Sequence, residues 1–202
     1  MCRGEGLGQS VDGFADRGGG AVRFFADESE RDRYRWSLKE RPCPACLAVG
    51  FLICHGHLWG YVGDGPLRKI RGYRFFCNNR GRRGGCGRTY SIHLARVLPR
   101  RQTPAPLLSR FFSLMLSCLS RRRAWFDLGT GVRLSTFYRL WEALCRSAME
   151  IRRRLTQLVA PPAPDLYTDD LHWTIAHLER AFDGQDCPVS AYQRHFQRPL
   201  LV

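Results

Sequence analysis

Two pairs of cysteines constrain this chain more than any other feature of its sequence. The first pair, Cys43 and Cys46, is separated by two residues, and the second, Cys77 and Cys86, by the eight residues NNRGRRGG. Zinc takes four ligands at tetrahedral corners, and two loops that each carry two thiolates can supply them. A segment of about 55 residues builds little hydrophobic core, so a bound metal ion would contribute much of its folding stability. The sequence therefore predicts a small β zinc ribbon with all four cysteines as ligands.

Three other side chains remain open as rival ligands. They are Cys54, His55 and His57, in the sequence LICHGH. A zinc site closed by four cysteines has no position left for a water molecule, which favours a structural over a catalytic metal. We therefore expect zinc (Zn²⁺) as the cofactor, in the role of holding the fold together.

The segment 107–160 has the hydrophobic pattern of a helix-turn-helix. An apolar helix is predicted over about 106–119, and Ser120 is suited to cap a second, short helix. The glycines of 129–131 favour a turn, and a third helix follows, with Ser135 as its predicted cap. An ordinary antiparallel helical hairpin is the alternative interpretation of the same pattern.

The third of these helices has one apolar and one polar face. Its apolar residues recur at i, i+3, i+4 and i+7 and predict a buried stripe formed by Phe137, Leu140, Trp141 and Leu144. In a helix-turn-helix the first turn of this helix meets base edges, where arginine reads guanine and hydroxyl groups bind phosphate. The predicted DNA contacts combine that turn with nearby arginines and are Arg80, Arg82, Arg83, Arg88, Arg121, Arg122, Arg123, Arg133, Ser135, Thr136, Tyr138 and Arg139.

The distribution of charge favours a polyanion as the partner. Residues 65–126 contain 15 Lys and Arg and no Asp or Glu, within a chain of 202 residues and net charge +14. The other 140 residues carry 17 basic and 18 acidic side chains, so one continuous segment holds the whole excess. A GC-rich genome would explain why 30 of the 32 basic residues are Arg. It would not explain 62 residues without one acid, whereas a surface that binds nucleic acid would.

Two other functions remain open. The first is binding of single-stranded RNA or DNA by base stacking on aromatic residues that stand among arginines. The residues concerned are Tyr73, Phe75 and Phe76, with Arg71, Arg74 and Arg80, although the small core of the ribbon would use the same aromatics. The second is a protein-interaction module in which the helices form a homodimer.

The fold class expected from these patterns is α+β, a small β zinc ribbon followed by a helical region. Five segments are predicted: a largely disordered arm with one short helix near Asp27 or Ser29 (1–40), the ribbon (41–99), a linker (100–106), the helix-turn-helix (107–160) and an extension with one helix (161–202). No apolar run approaches the roughly 20 residues of a membrane helix, and the start MCRGEGLGQS has no apolar core. The expected location is therefore cytoplasmic, associated with the nucleoid and away from membranes.

The stretches CPAC and RFFCNNRGRRGGCGRTYS resemble the transposase-type zinc ribbon that precedes a helix-turn-helix in bacterial insertion-sequence proteins. The pattern ST-x-YR, from Ser135 to Arg139, is similar to the start of the recognition helix in those proteins. The resemblance covers about residues 41–154 and implies binding to DNA ends. The matching positions of the second knuckle are Cys86, Gly87, Arg88, Thr89 and Ser91, with Tyr90 in the aromatic position.

Strand transfer in that family implies more than these modules. It would need an RNase-H-like domain in which three acidic residues hold two Mg²⁺ ions. Only 48 residues follow Arg154, and their cluster of Asp165, Asp169 and Asp170 is better explained by acids at a helix N-terminus. The sequence therefore predicts no catalytic site and no enzyme activity, and a separate catalytic transposase chain is the expected partner.

Overall fold

The computed structural model describes residues 21–61, 68–82, 84–117, 120–129, 131, 133–167 and 169–202, with the side chains of Tyr61 and Arg82 left aside. This part of the chain is a mixed α/β structure with one four-stranded sheet and six α-helices, which agrees with the predicted α+β class. The strands are β1 (Val22–Phe25), β2 (Leu52–Tyr61), β3 (Arg68–Cys77) and β4 (Thr89–Leu94). The helices are α1 (Glu28–Trp36), α2 (Ala105–Leu116), α3 (Arg121–Asp127), α4 (Leu134–Leu155), α5 (Asp170–Ala181) and α6 (Pro188–Phe196).

The sheet has the strand order β1-β4-β3-β2. Strands β2 and β3 form an antiparallel hairpin, β3 pairs antiparallel with β4, and β1 runs parallel to β4 with Val22 opposite Ser91. The predicted arm 1–40 therefore differs from the structure over Val22–Phe25, which form a strand, while 1–20 lie outside the described residues. Two parallel strands come from segments far apart in sequence, so no local sequence pattern predicts that they pair.

Helix α1 covers one face of the sheet and closes a first hydrophobic core. It begins where the sequence predicts, since the Asp27 carboxylate caps it by accepting the Glu30 N–H at 2.8 Å. It packs on β1 and β4, and a short 3-10 helix after it, Leu38–Glu40, packs on β2. The buried side chains of this core include Phe25, Tyr34, Leu38, Leu52, Tyr73, Phe75, Tyr90 and Ile92.

Helices α2 to α6 enclose a second core. The rings of Phe111, Trp125 and Phe137 bring α2, α3 and α4 together, with centroids 5.3 to 5.9 Å apart. The predicted stripe of α4, from Phe137 to Leu144, is buried in this core. In the described part of the chain, no helix combines the length and the apolar composition that crossing a bilayer requires.

The start of α4 differs from the prediction by two residues. Ser120 caps α3 as expected, because its Oγ accepts the Arg123 N–H at 3.3 Å. At α4 the cap position belongs to Arg133, whose backbone is extended at φ −60° and ψ 143°. Ser135 as the cap is therefore wrong: the helix has already begun at Leu134, and Ser135 is exposed in its first turn.

The C-terminal extension joins the two cores. Helix α5 begins at the predicted place, whereas α6 was not predicted. The Gln193 side chain donates to the carbonyls of Ala95 and Val97 at 2.6 and 3.0 Å, just beyond β4. The Gln197 amide accepts from the Phe24 N–H at 2.8 Å and donates to its carbonyl at 3.0 Å. These bonds cap the outer edge of β1, which would otherwise present unpaired backbone groups.

Candidate metal centre and nucleic-acid interface

The first cysteine pair lies in a tight loop between α1 and β2. The Cys43 N–H donates to the Ala48 carbonyl and the Leu47 N–H donates to the Cys43 carbonyl, both at 2.9 Å. Leu47 has φ +60°, a left-handed conformation that side chains rarely adopt and that closes the loop here. The Ala45 N–H donates to the Cys43 sulfur at 3.4 Å, so the loop aims a backbone dipole at the thiol.

The second pair lies where β3 ends and the chain returns to β4. The Gly87 N–H donates to the Cys77 carbonyl at 3.0 Å, and the Cys86 N–H donates to the Cys77 sulfur at 3.3 Å. A Cβ on Gly85 would come within 2.2 Å of the Asn78 carbonyl oxygen, so this position requires glycine. These bonds hold Cys86 beside Cys77 although eight residues separate the two cysteines.

The four sulfurs converge on one point. All four Sγ atoms lie within 4.8 Å of one another, and the pairs Cys43–Cys86 and Cys46–Cys77 are each 3.7 Å apart. Four sulfurs at 2.3 Å from a tetrahedral ion are separated by about 3.8 Å. The structure therefore brings together all four cysteines that the sequence predicts as ligands, at a spacing that suits a tetrahedral metal.

The rival ligands lie elsewhere. Cys54, His55 and His57 are exposed on β2, and none of them joins the cysteine cluster. His55 instead lies beside Phe76, and His57 contacts Tyr73 edge-on at 5.3 Å between ring centroids. Among the residues that the structure describes, the four cysteines are the one group able to hold a metal with three or more ligands.

The electrostatic surroundings of the sulfurs are unequal. Burial acts to raise the pKa of the Cys43 thiol, but hydrogen bonds from the Tyr90 hydroxyl and from backbone N–H groups lower it to about 6. Burial raises the pKa of Cys77 to about 12, with a further contribution from the neighbouring sulfurs. One thiolate in the cluster thus opposes the ionisation of the next. A divalent cation removes this conflict because it stabilises every thiolate at once.

Tyr90 also contributes to the cysteine cluster, and the residue types in the sequence did not indicate this role. Its hydroxyl lies 3.0 Å from the Cys43 sulfur and 4.0 Å from that of Cys86, inside the first core. A hydroxyl that donates to a metal-bound thiolate orients the ligand and spreads its charge. The sequence signal for this role was the aromatic position after Cys86 in CGRTYS.

We expect Tyr90→Phe to keep all four ligands yet hold the metal about 10- to 100-fold more weakly, the usual cost of losing such a support. Competition with a coloured chelator measures this affinity. Tyr34→Phe is the matched control, since Tyr34 lies in the same core but does not belong to the cysteine cluster. Equal affinities for Tyr90→Phe and the unaltered chain would show that the hydroxyl only fills space.

Two of the four predicted DNA contacts of the ribbon, Arg80 and Arg88, have side chains that the structure describes. Arg80 is exposed in the short 3-10 helix Arg80–Arg82, with its guanidinium 5.4 Å from the Phe76 ring. Arg88 is exposed between Cys86 and β4. The side chain of Arg82 and all of Arg83 lie outside the described residues.

The remaining predicted contacts lie on α3 and on the start of α4. Arg121, Arg122 and Arg123 are all exposed in the first turn of α3. Their guanidiniums lie over Trp141 (4.9 Å), over Phe126 (5.6 Å) and against the Asp127 carboxylate (2.9 Å), respectively. On the α4 side, Thr136 is half-buried, and the exposed residues are Arg133, Ser135, Tyr138 and Arg139.

Two of the three aromatic residues of the single-strand hypothesis are buried. Tyr73 is 4% and Phe75 2% exposed, because both fill the first core under α1. Arg71 is buried as well and donates to the Leu98 carbonyl at 2.9 Å. The third aromatic residue, Phe76, is half-buried, and the Arg80 guanidinium lies 5.4 Å from its ring. The single-strand hypothesis therefore loses Tyr73 and Phe75 as stacking residues and otherwise stays a prediction.

The acidic cluster of the C-terminal segment serves a helix, as predicted. The Asp169 carboxylate accepts the N–H groups of Leu171 and His172, each at 2.9 Å, and so caps α5. Asp170 forms an ion pair with Arg152 of α4 at 3.4 Å. Asp165 lies in the short 3-10 helix Pro164–Leu166.

Comparison of the chain with protein-family models, with curated proteins and with solved structures finds no match. The likeness to insertion-sequence proteins therefore stays a prediction from the motifs. Geometry alone supports a four-cysteine centre that could hold a metal ion.

Proposed function

We propose that this chain is a zinc-stabilised, double-stranded DNA-binding protein, a transposase-like recognition module without a catalytic site of its own. The observation that carries the proposal is the outward face of α3 and α4. There the exposed arginines of α3 stand beside an exposed helix turn that carries Ser135, Tyr138 and Arg139. The α3 arginines are also the last three of the 15 basic residues in the segment 65–126, which has no acidic residue.

The four cysteines favour zinc as the metal. Thiolate ligands select soft or borderline metals, and a tetrahedral set of four sulfurs suits zinc or iron. With four protein ligands the site is closed, so the metal would hold the two cysteine loops together and polarise no substrate. Metal analysis of the purified chain, together with the visible absorption that iron–thiolate centres show and zinc lacks, decides between the two.

One face of α4 is exposed, and the opposite face packs against α2 and α3. Ser135, Tyr138 and Arg139 are spaced i, i+3 and i+4 and therefore share one face, while Phe137 and Trp141 anchor the opposite face to α2 and α3. A major groove about 12 Å wide admits such a helix. The proposed base contacts come from Arg139 and its neighbours in this turn, and the α3 arginines contact the phosphates on either side.

A separate chain would supply any strand transfer. Two described acids of the helical region are engaged in ion pairs: Asp127 pairs with Arg123, and Glu150 pairs with Arg153 and Arg154. Glu142 is exposed on α4, and one carboxylate cannot hold two metal ions. Such pairing supports a binding module, since a two-metal site needs several carboxylates free to converge. A homodimer on a two-fold DNA site is compatible with this scheme.

Selection from a random duplex library at physiological salt, with zinc-loaded protein, tests the proposal. We expect one enriched motif, and we expect binding to weaken steeply with added salt because each neutralised phosphate releases counterions. Retention of duplexes without enrichment would contradict sequence reading and leave an electrostatic interaction alone. No retention at low salt would favour a protein-interaction module.

A further inference from the structure

Two exposed tryptophans lie at the ends of a row of ring contacts that runs from α1 across the buried Tyr73 to β2. Trp36, the last residue of α1, is 76% exposed, and Trp59 on the edge strand β2 is 54% exposed. A covered aromatic side chain buries about 150–250 Å², so two exposed indoles leave apolar surface that a partner can cover.

The two tryptophans are joined by an unbroken series of contacts. The Arg35 guanidinium lies 5.0 Å from the Trp36 ring and 4.4 Å from the Tyr73 ring. Beyond Tyr73, the ring of His57 follows at 5.3 Å and that of Trp59 at a further 6.1 Å. We call these five residues the aromatic strip.

The register of the hairpin explains why the strip lies on one face. His57 is directly opposite Tyr73, so their side chains share a face, and Trp59 follows two residues later on the same side. A bulge shifts the pairing so that Trp59 faces Ile70 and Arg71 is left over. The strip is thus part of the face that α1 covers only in part.

The charges around the strip are basic. The Asp32 carboxylate accepts a hydrogen bond from Tyr73 of the strip, and Arg31 pairs with this carboxylate at 2.9 Å and balances its charge. Arg35 is held over the rings, and Arg68 is exposed on β3, two residues before Ile70. A cationic, aromatic surface matches a partner that offers flat rings and negative charge together.

We propose that the aromatic strip binds single-stranded nucleic acid by stacking unpaired bases on Trp36 and Trp59. The Arg35 and Arg68 side chains then face the phosphates. The site is separate from the duplex-binding face of α3 and α4, so it goes beyond the proposed function and does not depend on it. An RNA strand and a DNA strand offer the same stacking chemistry.

Fluorescence anisotropy with a labelled 12-nucleotide oligothymidylate tests the site in the full chain. We expect the double variant Trp36→Ala/Trp59→Ala to bind this strand at least about tenfold more weakly, the lower range for losing one or two stacked bases. Binding to a duplex hairpin should change less than twofold. The variant Trp36→Phe/Trp59→Phe should regain much of the affinity, because phenyl rings still stack. Oligouridylate titrated in parallel shows whether RNA or DNA is preferred.

Met149→Ala is the matched control, since Met149 is as exposed as Trp36 but lies on α4. The proposal is overturned if the unaltered chain has no affinity for the single strand, or if the double alanine variant keeps it. It is also overturned if Met149→Ala lowers single-strand affinity as much, or if duplex and single-strand affinities fall together. A failed duplex selection with an intact response at the tryptophans would reject the proposed function alone.

Discussion

Cys77→Ser should abolish tight metal binding and unfold the sheet. The metal binding free energy of small zinc domains is about 10–16 kcal/mol, so an equal share for each of four thiolates is about 2.5–4 kcal/mol, or roughly 70- to 900-fold in affinity. Cys77 also ends β3, and its backbone bonds to Gly87 and Arg88 close the second knuckle. The loss should therefore reach β2 to β4 and the core beneath α1.

The helical region should respond less to this change. Its core is a separate cluster of buried residues that contains neither Cys43 nor Cys77. Hydrogen exchange followed by mass spectrometry should show lost protection in the peptides of β2, β3 and β4, while α2 and α4 stay protected. Metal content is measured on the same samples.

Cys54→Ser is the matched control, because Cys54 is an exposed thiol on β2 outside the cysteine cluster. It should leave the metal content and the exchange of the sheet unchanged. Full metal occupancy and an intact sheet in Cys77→Ser would show that the four-cysteine cluster is not what holds this part of the fold.

Arg139→Ala should lower sequence discrimination more than it lowers affinity for DNA in general. An arginine that reads a guanine contributes about 1–3 kcal/mol of discrimination at one base pair, or roughly 5- to 150-fold. Arg88→Ala should instead weaken binding to all sequences alike and reduce the salt slope by about one, the signature of a phosphate contact. Binding to the selected duplex and to its single-base variants measures both effects.

Arg146→Ala is the control for charge on the same helix, since Arg146 is exposed two turns beyond Arg139. It should leave discrimination unchanged. If Arg139→Ala and Arg88→Ala reduced affinity uniformly for every sequence, the first turn of α4 would not be the reading element.

Signals that act over a few residues predicted much of the structure. The spacing of Cys43 and Cys46 and the glycines around Cys86 indicated two loops that converge, and all four sulfurs do converge. Capping residues placed the starts of α1, α3 and α5, because a side-chain cap bonds the next turn directly. The periodic apolar residues of α4 gave its buried face for the same reason.

The burial of individual sheet residues was harder to predict. Successive side chains of a strand lie on opposite faces of the sheet, and the sequence does not say which face other elements cover. Tyr73 and Trp59 are both aromatic residues among basic ones, yet Tyr73 fills a core and Trp59 is exposed. The difference comes from α1, which packs on β1 and β4 and places the guanidiniums of Arg31 and Arg35 over the Tyr73 ring. The sequence pattern of β3 was thus compatible with a stacking surface that its tertiary position removes.

The amino-acid sequence by itself was enough to predict the four converging cysteines, the helical region and the basic character of the chain. The first two depend on the spacing of residues close in sequence, and the third depends only on composition. The parallel pairing of β1 with β4, the docking of α6 through Gln193 and Gln197, the Tyr90 hydroxyl beside Cys43 and the exposed tryptophans came only from the tertiary structure. Each of these contacts joins elements that are remote in sequence. Such contacts form when several segments bury their apolar surface together, and no single segment carries the information that specifies them.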